Sequence, residues 1–420
     1  MAFWHRLLQR GGALQLAACT ALDVGTEFAK ALVFEVDPER KGIVRGVGRR
    51  RQGLAHMQSG TVTDIAAVVD NCQVALQEAE EMAGFRSSQV VIGIAGELVK
   101  GFTTSHTQER RRANQPITDA ELQRLLEGVQ RESVREAERA ITWETGLPNI
   151  DIRLVHASVT AAAIDGYAVT NPVGFQGRHV KVSVFNAFAP LVHLGALQSV
   201  ASQLDLELLS IVAEPYAVAR CLDDQQVGQS GALFIDVGGG TTDVALVRQG
   251  GVDATRMFAL GGRAFTKSLA DRLEIPFGRA EEIKIDFAKG APVEQRDEIE
   301  SIINEDVAVW AAGVELVLEE FSREGQLPGR MYLCGGGSRL PQLQAALRDA
   351  EFARRLPFIR PPTVQQMTPQ QVIGVSDATG LLVDEQDVTP LGLARQAIEM
   401  SGEQAPLDGA LQRVVRGLRH

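Results

Sequence analysis

Along this chain, short apolar runs that break at glycine alternate with longer stretches in which apolar residues recur every three or four positions. This is the rhythm of an α/β protein. Residues 20–36 predict two short strands joined by a turn at Gly25. Ile65, Val68, Val69, Cys72, Leu76, Ala79 and Met82 keep helical spacing, which predicts a helix over 64–83 with Gly84 as its C-cap. Residues 90–95 follow as a buried strand. A polar helix is predicted over 113–142, where Thr118 and Glu121 have the spacing of a capping box. Residues 151–169 and 179–188 predict two strands linked through a turn at Asn171-Pro172-Val173-Gly174. Residues 192–204 then read as a helix and 208–212 as a short strand. A second strand, turn and strand unit begins at 232–236. Residues 264–325 are helical, 331–334 form a strand that runs into Gly335-Gly336-Gly337, and 361–390, rich in Pro, Gln and Thr, read as loop.

One device occurs twice. Ala21-Leu22-Asp23-Val24-Gly25-Thr26 and Phe234-Ile235-Asp236-Val237-Gly238-Gly239-Gly240-Thr241 each run an apolar strand into Asp, then into a glycine turn with a hydroxyl residue. Glycine lets backbone amides approach a ligand closely, and successive amides aimed one way make an anion-binding concavity. Thr26, Thr241 and Thr242 can add hydroxyl donors, and Asp243 follows in the second copy. Asp23 and Asp236 stand where they can hold Mg2+ through its retained waters. A lone Asp-x-Gly-Thr is also an ordinary turn. Three glycines in one strand turn weaken the fold unless a ligand requires them, so the second copy is the stronger signal. With the third glycine turn at 335–337, two lobes that clamp a nucleoside triphosphate are expected.

At 420 residues the chain exceeds a typical domain, and its formal charge of −11 disfavours nucleic acid as a partner. Cys19, Cys72, Cys221 and Cys334 are far apart and show neither metal-ligand nor disulfide-framework spacing, which fits a reducing compartment. No apolar run approaches the roughly 18 residues of a membrane span, so a cytoplasmic location is expected. Arg110-Arg111-Arg112 reads either as a binding patch or, more commonly, as a solvated loop.

These motifs resemble the actin-like ATPase superfamily. Asp23 to Thr26 are similar to its first phosphate loop and Asp236 to Asp243 to its second. Ala213-Glu214-Pro215-Tyr216-Ala217 is similar to the connecting motif, and Gly335-Gly336-Gly337 to the adenosine motif. The resemblance makes Glu214 the candidate to position an attacking water, with a plain helix-capping Glu as the alternative. It places Glu281 and Lys284 at the adenosine, with a surface ion pair as the alternative. The short stretch before the 64–83 helix, Gly60 to Ile65, Ala79 to Gly84, Asp165-Gly166, Asn171 to Gly174, Gly177, Gly261-Gly262 and Lys267 most resemble the FtsA family, with PilM proteins second.

The resemblance implies an actin-like two-lobed fold of duplicated ribonuclease-H-like lobes, with a strand-helix-strand-strand subdomain inserted in the first lobe. The expected division is a leader over 1–17, a first lobe over 18–87 and 189–222, and the small subdomain over 88–188. The second lobe is expected over 223–260 and 326–395, its helical subdomain over 261–325, and a linker and tail over 396–420. ATP, Mg2+, self-association and the tubulin-like division protein FtsZ are the implied ligands and partners, with at most slow ATP hydrolysis.

Leu407, Leu411, Val414, Val415 and Leu418, interleaved with Arg413, Arg416 and Arg419, form a basic amphipathic tail. Leu411, Val414, Val415 and Leu418 are the expected tether to an anionic membrane surface at the inner face of the cell membrane. The alternative is a terminal helix docked on the protein's own body. The Phe3, Trp4, Leu7 and Leu8 cluster can be a second tether or an unstructured leader. The nearest rival is a PilM-like scaffold of type IV pilus assembly. A sugar kinase would need an acidic base in a substrate cleft, and a DnaK-type chaperone a long domain after 345; neither pattern is present.

Overall fold

The computed structural model describes residues 17–147, 150–228, 230–401 and 406–418. Residues 1–16 of the expected leader and 402–405 and 419–420 of the expected linker and tail lie outside them, as do the side chains of Arg416 and Leu418.

Two sheets repeat one plan. In the first, β1 (Ala18–Val24), β2 (Phe28–Val36) and β3 (Gly42–Arg51) form an antiparallel meander. Two small strands, β4 (Met57–Gln58) and β5 (Thr61–Val62), lead to helix α1 (Ile65–Ala83), which returns the chain to β6 (Gln89–Ile94), parallel to β1. The helix starts where the Asp64 carboxylate accepts the Ala67 N–H and ends at Gly84 with φ 76°, so both termini are capped by local chemistry. The second sheet builds the same meander from β12 (Ala232–Val237), β13 (Thr242–Arg248) and β14 (Gly251–Phe258), with β15 (Arg330–Cys334) parallel to β12. The orders β3-β2-β1-β6-β11 and β14-β13-β12-β15-β16 correspond strand for strand, with β11 (Glu207–Ala213) and β16 (Thr363–Gln366) last in each. These are the two lobes of the actin-like ATPase fold.

The small subdomain consists of β7 (Lys100–Glu109), helix α2 (Asp119–Thr145), β8 (Ile152–Ile164), β9 (Tyr167–Ala168) and β10 (His179–Pro190). The α2 helix begins at Asp119, six residues later than its polar pattern predicts, because Thr118 and Glu121 close a reciprocal capping box there. Arg110 is buried. It pairs with Glu121 at 3.2 Å and donates to the Gly177, Gln115 and Pro116 carbonyls, so it ties this subdomain together, while Arg111 and Arg112 are exposed in the loop after β7.

Helix α3 (Leu191–Gln203) leads to β11, and α4 (Glu214–Ala219) and α5 (Asp224–Val227) lead into the second lobe. Its crossover contains α6 (Gly262–Arg272), α7 (Phe277–Ala288) and α8 (Arg296–Ser322). After β15 come α9 (Pro341–Arg348) and α10 (Ala350–Arg355), and the chain closes with α11 (Val388–Ser401) and α12 (Pro406–Leu418).

Three expected boundaries shift. Residues 89–94 form a central strand of the first sheet, although the small subdomain is expected from 88. The small subdomain's strands extend the second sheet, through Ala254↔Phe102 and Thr255↔Gly101. Residues 375–401, expected in the second lobe and tail, return to the first: β17 (Val375–Asp377) pairs with β3, and α11 packs against β1 and β2. The first sheet is covered by α1 on one side, and α11 supplies apolar cover such as Leu391 and Leu393. The 361–390 stretch, read as loop, therefore holds two strands and two single-turn 3-10 helices.

The tail forms helix α12, but its apolar face is turned inward. Leu407, Ala410, Leu411, Val414 and Val415 are buried with Leu122, Leu125 and Ala157 of the small subdomain. Full burial of such a side chain contributes about 1.5–3 kcal/mol, while ordering each helical residue costs about 1–2 kcal/mol. A single short docked helix is thus held by the difference of two similar quantities.

Candidate functional site

Both hairpin turns face one cleft between the lobes, of about 710 Å³, within the size range of small-ligand sites. Of the residues the sequence singles out, Asp23, Gly25, Thr26, Glu214, Asp236, Gly238, Gly239, Thr241 and Asp243 line it. So do Glu281, Lys284, Gly335, Gly336 and Gly337. Thr242 does not. Its hydroxyl donates to the Leu260 carbonyl at 2.7 Å and accepts from the Trp310 indole at 2.9 Å, so it is a core fastener of the second lobe. Gly240 lies behind the lining, where a β-carbon would stand 2.8 Å from Thr26 Oγ1; its lack of a side chain lets the two turns meet.

The second turn is braced from behind. Its Gly238 and Gly239 carbonyls accept the Gly262 and Arg263 N–H groups of α6, each at 2.8 Å. Thr241 donates to Asp243 Oδ2 at 3.1 Å, while Asp243 Oδ1 is buried with no hydrogen-bond partner among the described residues. Burial, then the neighbouring Asp236 charge, pushes the Asp243 carboxyl well above its ordinary range. Burial also raises Asp236, against the opposing effect of Thr389, whose hydroxyl donates to it.

Glu214 opens α4 at the cleft floor. Its carboxyl is raised well above the usual range by burial, then by the charges of Asp23, Asp243 and Asp236. It fits because residue 93 is glycine. A β-carbon there would lie 2.6 Å from Glu214 Oε1 and 2.9 Å from Leu393 Cδ1.

Asp23, Glu214, Asp236 and Asp243 thus line a cleft into which Lys30 projects, and one buried oxygen, Asp243 Oδ1, lacks a partner among the described residues. This donor set fits a cation. Among the described residues no three acidic, histidine or cysteine groups converge closely enough to hold an ion by themselves. Asp23 and Asp236 would share a hard cation such as Mg2+ with ligand oxygens and water, as that ion prefers.

Glu281 and Lys284 of α7 are not a surface pair. Lys284 is buried, and its ammonium donates to Glu281 at 2.8 Å, to Thr266 Oγ1 at 2.7 Å and to the Gly262 carbonyl at 2.9 Å. It fastens α7 to α6 directly behind the second turn. Removing one partner of a buried, hydrogen-bonded ion pair costs about 3–5 kcal/mol. Lys284→Ala is therefore expected to lower stability by that order in chemical denaturation and to weaken binding in the cleft.

The sequence reading missed several cleft residues. Lys30 donates to Asp23 at 3.2 Å and to the Gln386 carbonyl at 2.7 Å. It lies directly across the first hairpin from Asp23, so counting back from the Gly25 turn would have found it. Glu27 joins the lobes, accepting from Arg51 and from Arg263, each at 2.7 Å. Residues 384–389 cross between the lobes: Asp387 pairs with Arg49 of the first at 2.6 Å, Arg339 of the second pairs with Asp384 and Glu385, and Gly335 N–H donates to the Glu385 carbonyl at 3.1 Å. These residues come from distant parts of the chain and carry no local motif.

Comparison with known proteins agrees with this architecture. The family model "Cell division protein FtsA" matches residues 233–379. The chain is 28% identical over 269 residues to cell division protein FtsA of Pseudomonas aeruginosa, a match that covers 64% of this chain and 60% of that protein. It is 26% identical over 417 residues to FtsA of Neisseria meningitidis, covering 94% and 93%. Among solved structures, a chain of the PilM-PilN type IV pilus biogenesis complex superposes with a TM-score of 0.61 at 19% identity, covering 91% of this chain and 98% of that one.

Proposed function

We propose, starting from an actin-like fold whose sequence relatives are FtsA cell division proteins, that this chain binds Mg-ATP between its lobes and assembles with copies of itself. In that state it links a tubulin-like division filament, FtsZ, to the inner face of the cell membrane. The observation that carries the reading is that the two Asp-Gly-Thr turns and the third glycine turn, remote in sequence, line one cleft. In this reading Gly25, Thr26, Gly238, Gly239 and Thr241 take the phosphates, Asp23 and Asp236 the Mg2+, and Gly335, Gly336, Gly337, Glu281 and Lys284 the adenosine side. Gly240 permits the approach of the two turns. Lys30 opposes phosphate charge, and Glu214 orients water. ATP acts mainly as a conformational and assembly ligand, because it would replace the polar contacts across the cleft with its own and set the lobe spacing.

The membrane link is assigned to α12, through Leu411, Val414, Val415 and Leu418, with Arg413 and Arg416 toward anionic headgroups. Assembly would add avidity to a short tether. Among the described residues no helix is long and apolar enough to cross a membrane, so the contact proposed is peripheral. Pelleting of anionic vesicles with purified FtsZ polymers tests the reading. FtsZ is expected in the vesicle fraction only when this chain and Mg-ATP are both present, and a chain ending at Gly402 fails to bring it down. FtsZ that stays in the supernatant while the full chain pellets with vesicles would defeat the division reading.

One observation favours a second reading. The α12 face meant for lipid is covered by the protein itself, which suits a PilM-like scaffold of type IV pilus assembly. In that case neither the full chain nor the shortened one pellets with vesicles.

A further inference from the structure

The face of α12 that would enter a lipid surface is the face that packs on the small subdomain. Leu411, Val414 and Val415 are all buried against α2 and β8, while Arg413 points to solvent. One apolar stripe cannot be buried in two media, so docking on the body and insertion into lipid exclude each other.

The docked position has a specific polar anchor. On one side β8 pairs with β10, but on the other β9 and Val169 reach only Ala162 to Ile164. Around Val159 that edge of β8 has no strand paired to it among the described residues, and folded proteins cover such an edge. The Asp408 carboxylate accepts the Val159 N–H there at 3.1 Å. The helix thus satisfies an edge donor as well as an apolar groove, which is more than incidental packing provides.

We infer that α12 is a reversible lock in cis: docked along β8 and α2 it hides its lipid-seeking face, and the chain engages a membrane only after the helix leaves that groove. The inference rests on the membrane-tether reading given above.

A disulfide decides it. The double variant Val159→Cys/Asp408→Cys puts one thiol on each of the two segments that the bond from the Val159 N–H to the Asp408 carboxylate holds together, to be joined by oxidation or by a short bis-maleimide. The four native cysteines are buried and do not compete. When reduced, the variant has lost its anchor, and the full chain pellets with vesicles of phosphatidylcholine and phosphatidylglycerol. When oxidised, the helix is held in the groove, and the pelleted fraction falls about tenfold or more, as expected when the competent state is removed. Equal pelleting of the two forms overturns the lock and leaves the tether reading intact. If neither form nor the native chain pellets, the tether reading falls and the lock with it. Thiols that join neither by oxidation nor through the short bis-maleimide show that the docked arrangement is not populated, which also overturns the inference. A single variant, Asp408→Ala, provides an independent check: it pellets more strongly than the native chain, and equal pelleting counts against the lock.

Discussion

Asp236→Ala is expected to remove measurable Mg-ATP binding, a loss of about 100-fold or more in affinity, since charge-assisted contacts in a desolvated site are worth several kcal/mol. Asp236 is the second-last residue of β12, is buried and faces the cleft. In the absence of a cation, burial raises its carboxyl, and the Thr389 hydroxyl and Lys30 charge only partly offset this. A site that costs energy to ionise when empty gains most when a divalent cation enters. The alanine variant also loses the Thr389 bond, so Asp236→Asn is the cleaner companion. It can keep that bond but not the charge, and it should show the same loss of Mg2+-dependent affinity with a smaller change in stability. Isothermal titration with and without Mg2+ checks both; unchanged affinity in Asp236→Asn would remove Asp236 from the site.

Glu214→Gln should act in the opposite direction on stability. The Glu214 carboxyl is raised by burial and then by Asp23, Asp243 and Asp236, with Lys30 lowering it. Between the ordinary carboxylate pKa and the raised folded value, the folded chain keeps a proton that the unfolded chain has released. The ligand-free protein therefore loses stability as pH rises through that window, and the loss is complete above the folded value. Glutamine fills nearly the same volume beside Gly93 and Leu393 and has no proton to lose. The variant should match the native chain near pH 4 and exceed it by about 1–3 kcal/mol near pH 8, the scale for a buried group relieved of an uncompensated charge. Any ATP hydrolysis should fall about 10²–10⁴-fold with little change in ATP affinity, the usual contribution of a group that orients or deprotonates water. A melting temperature gap that does not grow with pH would show that this carboxyl is not strained by its neighbours.

Much of the site was legible because its signals are local. The Asp23-to-Thr26 and Asp236-to-Asp243 turns are set by residues adjacent in sequence, and the strands leading into them carry short apolar runs, Ala21-Leu22 and Ala232 to Ile235. Helix ends were legible for the same reason: Asp64 with Gly84, and Thr118 with Glu121, are capping chemistry within a single turn. Where a feature depends on distant partners, the local pattern had no means of showing it. β17 pairs with β3 across more than three hundred residues, from a stretch rich in loop formers. For Lys284 a surface pair stands as the alternative in the sequence because its charge says exposure, whereas Gly262 and Thr266 of another helix make its burial tolerable. The tail shows the limit most clearly. Helical periodicity reports that one face of α12 is apolar, and lipid and protein make the same demand of that face; only the position of β8 and α2 shows what covers it here.

Calorimetric titration of Mg-ATP into the full chain tests most directly whether this cleft is a nucleotide site. Saturable binding at one nucleotide per chain is expected, lost when Mg2+ is chelated, with the bound protein melting at higher temperature than the free one. No binding and no thermal shift at ATP concentrations of about 1 mM, well above the range that matters for a nucleotide-regulated protein, would contradict it.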